Sequence, residues 1–73
     1  MMRIYQLDEN EVRAIDALNA QRTNELLIVC GYPGGISGVV ADDLNNPIYA
    51  PYKALLNYDE NKIIEIEEPE ELF

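Results

Sequence analysis

A chain of 73 residues with one cysteine and no histidine has room for a single domain and no staple to hold it. Cys30 has no partner for an internal disulfide, and a structural zinc site needs several Cys and His ligands. Fourteen Asp and Glu against five Lys and Arg give a net charge of -9 and a pI near 4.1, which turns the chain away from nucleic-acid backbones and anionic membranes and toward basic surfaces.

Met2 to Leu7 reads as a short first strand, favoured by Ile4 and Tyr5. Asp8 and Glu11 have the spacing of a capping box, and Leu7 and Val12 stand where a hydrophobic staple would. Glu9 and Glu11 put negative charge at the positive end of a helix dipole. Val12, Ile15 and Leu18, with Ala14 and Ala17 beside them, form one apolar stripe and predict an amphipathic helix from Glu9 to Gln21. Leu26-Leu27-Ile28-Val29-Cys30 is a continuous apolar run, expected as a strand buried on both faces with Cys30 a small core residue. Pro33-Gly34 marks a turn, and Ile36 to Ala41, weakened by Gly38, completes an antiparallel hairpin.

Asp42 to Pro47 reads as a loop whose side chains bond their own backbone. Ile48 to Tyr52, with prolines at 47 and 51, is expected to be extended. Ala54-Leu55-Leu56 fits a helical turn or a strand equally well, and Asp59-Glu60-Asn61 is a turn. Lys62 to Glu67 alternates, with Ile64 and Ile66 on one face and Glu65 and Glu67 on the other. It is expected to be an edge strand whose acidic outer face discourages pairing with other sheets. Glu68 to Phe73, broken by Pro69 and loaded with like charge, is expected to be an acidic flexible tail. The fold predicted is α+β: a compact domain over residues 1–67, with one amphipathic helix on a mostly antiparallel sheet of three to four strands.

The chemistry of catalysis finds little to use. Without histidine no Ser-His-Asp or Cys-His arrangement can form. The glycines at 31, 34, 35 and 38 lack the Lys-Ser/Thr pair of a phosphate loop and the spacing of a dinucleotide fingerprint. An EF-hand starting at Asp43 would meet Ile48 where glycine is needed and Ala54 where glutamate is needed. No catalytic residue, metal or cofactor is expected, and the chain is read as a binding protein and not an enzyme. No apolar run is long enough for a signal peptide or a membrane span, and with a lone cysteine this points to the cytoplasm.

Half of the acidic residues fall at or after position 59, with only Lys62 against them. Charge needed for solubility alone would serve equally well if it were spread evenly. The candidate partner-binding residues are therefore Glu65, Glu67, Glu68, Glu70 and Glu71, which would steer the encounter, with Leu72 and Phe73 as an apolar anchor. Tyr49 and Tyr52 join them, because tyrosine offers large contact area at low entropy cost. The competing readings are a frayed, solvated terminus for the acidic residues and core packing for the tyrosines.

In size, in the acidic run from Glu65 to Glu71, and in its helix-plus-strands layout, the chain resembles the small regulators that phages make against host machinery. These include inhibitors and antiterminators of bacterial RNA polymerase and acidic mimics of DNA. The resemblance implies a regulator that docks on a basic protein surface, with RNA polymerase the first candidate partner and no direct contact with nucleic acid or membrane. It carries no residue roles. Two alternatives stay open: a DNA-mimic inhibitor of a nuclease, glycosylase or defence complex, and an antitoxin-like or structural subunit.

Overall fold

In the computed structural model, which describes residues 1–67, the chain enters as strand β1 (Met2–Gln6) and turns at Asp8 into helix α1 (Glu9–Ala20). An irregular stretch leads to the hairpin of β2 (Cys30–Tyr32) and β3 (Ile36–Val40). Short 3-10 turns at Ala41–Asn45 and Pro47–Tyr49 run into helix α2 (Ala50–Leu55), and a further one at Glu60–Lys62 precedes β4 (Ile63–Ile66). The four strands form one antiparallel sheet in the order β2-β3-β1-β4, so the fold is α+β, as its sequence pattern predicts.

Local signals explain most of this path. The Asp8 side chain accepts from the Glu11 amide at 2.8 Å and Glu11 accepts from the Asp8 amide at 2.9 Å, so the expected capping box is formed. Arg13 donates to Glu9 one turn away at 2.8 Å. The hairpin closes through Pro33, Gly34 and Gly35, and both glycines hold positive φ (88° and 75°), a conformation that costs glycine little and other residues much.

The sheet is built on three apolar doublets, Ile4-Tyr5, Val39-Val40 and Ile63-Ile64. Tyr5 lies opposite Val39 and Ile63, while Ile4 lies opposite Val40 and Ile64. Directly opposed residues share a face, so each doublet gives one side chain to each side of the sheet. The Tyr5 row faces the helices. Tyr5 and Val39 are fully buried there against Ile15 of α1, Leu27, Leu44, and Tyr52 and Leu56 from the α2 region, with Ile63 packed alongside. The Ile4 row faces away from them. Ile4 is fully buried, yet it lies outside the cluster that the helices cover.

Several expectations need correction. Leu26 to Val29 is not strand; the strand begins at Cys30. This run sits at the sheet edge, and the Leu27 carbonyl is taken by Asn19 Nδ2 of α1 at 2.9 Å, so burial is one-sided. Leu27 is buried, Ile28 is 61% exposed, and Cys30 is exposed instead of being a core residue. Ile48 to Tyr52 is helical, not extended. Pro47 opens a 3-10 turn capped by Asn46, whose side chain accepts from the Ile48 amide at 3.1 Å, and Pro51 stands in the first turn of α2. Neither position needs an amide hydrogen, so both prolines start helical turns. The Asp42 loop is likewise wound into 3-10 helix. On β4 the alternation is as expected, but Ile64 and Ile66 lie on the face away from the helices and Ile63 packs on the core. The expected tail, Glu68 to Phe73, lies outside the described residues.

Candidate protein interface

The electrostatic character of the surface follows from where the few cations go. Arg3 donates to Asp42 at 3.3 Å, Arg13 to Glu9, and Lys62 to Glu11. Arg22 lies over the Tyr52 ring at 5.3 Å, and Lys53 over the Tyr58 ring at 4.5 Å. All five basic residues of the chain are thus committed within the domain. Glu60, Glu65 and Glu67 are exposed, and among the described residues no salt bridge neutralises them. Asp59 is exposed as well, its side chain accepting from the Asn61 amide at 2.9 Å.

Lys62 fixes the start of this acidic edge. Burial lowers its pKa, but the hydrogen bond and the charge of Glu11 outweigh that and leave it above the ordinary value. Its ammonium also sits 5.3 Å from the Tyr5 ring. The Tyr5 hydroxyl accepts from the Asp59 amide at 3.0 Å, and the Tyr58 ring stacks on Tyr5 at 5.3 Å. The segment that carries Asp59 and Glu60 is therefore pinned to the core. At the other end of β4, Glu65 lies opposite Arg3, whose guanidinium is held by Asp42.

The residues predicted for partner binding separate. Glu65 and Glu67 are both exposed at the β4 edge. Tyr52 is fully buried, its hydroxyl donating to Asn19 Oδ1, so it belongs to the core and cannot present its ring to a partner. Tyr49 is half-buried, edge-on to Tyr52 at 6.0 Å. Glu68, Glu70, Glu71, Leu72 and Phe73 lie outside the described residues.

Two surfaces escape a reading based on charge. A shallow groove of about 650 Å³ runs between Ala14, Ala17 and Leu18 of α1 and Pro51, Ala54 and Leu55 near α2. The sheet face turned away from the helices is apolar, and the doublets in the sequence are its signal. On that face the Tyr32 hydroxyl has a raised pKa, chiefly from burial and then from the neighbouring Cys30 thiol and Asp43. Among the described residues no group of Cys, Asp and Glu is arranged to hold a metal, and no helix is long and apolar enough to cross a membrane. Comparison with family models, curated proteins and solved structures found no match for the chain.

Proposed function

We propose that this protein is a non-enzymatic regulator that acts in the cytoplasm by binding a basic surface on a nucleic-acid-processing protein. Bacterial RNA polymerase is the first candidate, inhibited or redirected by the contact. The observation that carries this reading is the commitment of every Lys and Arg inside the domain, which leaves the carboxylates at the β4 edge unneutralised and facing solvent. A surface that holds DNA or RNA must be basic, and an acidic edge is attracted to it at long range while being repelled by nucleic acid itself. Glu65 and Glu67 are the residues assigned to steering, together with Glu68, Glu70 and Glu71 that follow them in sequence.

The test is a pull-down of tagged protein from bacterial lysate at low and high salt, read by mass spectrometry, beside a variant with those five glutamates changed to Gln. Retention of one nucleic-acid enzyme, lost at high salt and in the variant while the variant keeps its melting temperature, supports the reading. Equal retention by the variant sinks it. Displacement of the protein by duplex DNA would move the assignment to a DNA mimic.

A further inference from the structure

The hydrogen-bond phase of the sheet decides which backbone groups reach its outer edge. The Leu7 amide donates to the Ser37 carbonyl at 2.9 Å, one step beyond the Gln6–Gly38 pair. In an antiparallel ladder bonded and non-bonded pairs alternate, so Tyr5 and Val39 exchange hydrogen bonds, and Ile4 turns its amide and carbonyl the other way, toward β4. Ile4 with Ile64, and Met2 with Ile66, are then the bonded pairs of β1 and β4. Ile63 and Glu65, the alternate residues, turn their backbone groups outward. The Ile63 amide accordingly donates to the Glu60 carbonyl and not to Tyr5. β4 ends the strand order, and among the described residues no strand lies beyond it. The Glu65 amide and carbonyl, with the Ile63 carbonyl, therefore stand at an open edge.

The side chains around these groups select what can pair with them. Glu65 and Glu67 follow one another at strand spacing on one face, both exposed and, among the described residues, in no salt bridge. Arg3, directly across from Glu65, is turned to Asp42 at 3.3 Å. The other face at this edge carries Ile64 and Ile66, both half-buried. A strand laid against β4 thus meets carboxylates on one face and isoleucines on the other. A second copy adding antiparallel by the same edge would bring its own Glu65 and Glu67 against these carboxylates, and like charges directly opposed are destabilising. A segment with Lys or Arg at alternate positions and apolar residues between them complements both faces. The opposite edge of the sheet has no such charge, since β2 is the neutral stretch Cys30–Tyr32. We propose that an extended basic segment of the partner adds to the sheet along β4, its backbone bonding to Glu65 and its alternate Lys or Arg facing Glu65 and Glu67. This rests on the reading of a basic partner and names the form in which that partner presents its charge.

Two synthetic octapeptides of alternating Val and Lys, equal in composition and charge, test it against the full chain. One is N-methylated at the backbone amides of its lysines, the residues that would exchange hydrogen bonds with Glu65; the other is N-methylated at its valines, whose amides would face away. The valine-methylated peptide should bind about tenfold more tightly. Its binding should slow hydrogen exchange at the Glu65 amide and leave Ile64 and Ile66, already bonded to β1, unchanged. In the protein, Glu65→Pro should weaken this binding several-fold more than Glu65→Gln, because both remove the charge and only the proline removes the outward amide, which no ladder bond uses. Equal binding of the two peptides with no protection of Glu65 overturns strand addition and leaves docking on a basic surface standing. Failure of both peptides to bind also overturns it, while retention of a nucleic-acid enzyme in the salt-dependent pull-down decides the wider reading separately.

Discussion

Replacing Tyr52 by Phe removes a single oxygen from the junction of three segments. The hydroxyl donates to Asn19 Oδ1, and Asn19 Nδ2 donates to the Leu27 carbonyl at 2.9 Å, so one side-chain amide joins α2 to α1 and α1 to the segment before β2. The ring is fully buried and would stay so, which confines the loss to the hydroxyl and to an Asn19 oxygen left without its donor. That costs about 1–2 kcal/mol. A domain of this length has a total stability of about 4–11 kcal/mol. With about 4–8 °C per kcal/mol, the melting temperature should fall by roughly 5–15 °C. Tyr52→Ala empties the core site as well and should cost about 3–5 kcal/mol, enough to unfold a marginal domain. Urea unfolding followed by circular dichroism measures both, and a double-mutant cycle with Asn19→Ala should show a coupling of about 1 kcal/mol at unchanged m-value. If Tyr52→Phe stays within about 0.3 kcal/mol of the parent and the cycle shows no coupling, the hydroxyl is not in this pair and the inward placement of α2 is wrong.

Gly38→Ala should cost about 2–3 kcal/mol in the same unfolding experiment, because the new Cβ would meet the Tyr5 carbonyl oxygen at 2.5 Å inside the sheet; a neutral result would contradict the β1–β3 register. Asp8→Ala removes the capping box and should cost about 1 kcal/mol, visible as a lower urea midpoint. Lys62 has a pKa raised above its ordinary value of 10.5, so its contribution is whole below that pH and disappears as pH climbs through the folded-state value. Stability should fall more steeply above pH 10.5 in the parent than in Lys62→Met, measured by urea midpoint against pH. Tyr32, also raised from its ordinary 10.0, acts in the same alkaline direction in both proteins.

The first helix is legible in the sequence because its signals are local: the Asp8-Glu11 box, the Val12-Ile15-Leu18 stripe and the charged first turn all lie within one segment. The hairpin is legible for the same reason, through Pro33-Gly34-Gly35. What fails is what depends on distant neighbours. Pro47 and Pro51 are compatible with an extended chain or with helix starts, and the choice is made by the core that takes in Leu44, Tyr52 and Leu56. The run Leu26 to Cys30 looks buried on both faces, but it lies at a sheet edge where only one side meets the helices. On β4 the sequence offers two registers of alternation. Reading Ile64 and Ile66 as inward chooses the wrong one, and a shift of one residue exchanges the faces. Glu65 and Glu67 are exposed despite this shift, whereas Tyr52 is in the core and loses its role at an interface.

The most direct measurement is a binding titration of the purified protein against purified bacterial RNA polymerase, and separately against duplex DNA, over a series of salt concentrations. The expected result is saturable binding to the polymerase that weakens steadily with salt and is reduced by changing Glu65, Glu67, Glu68, Glu70 and Glu71 to Gln, with none to DNA. Binding that ignores both salt and those substitutions, or no binding to the polymerase at the lowest salt, would contradict it.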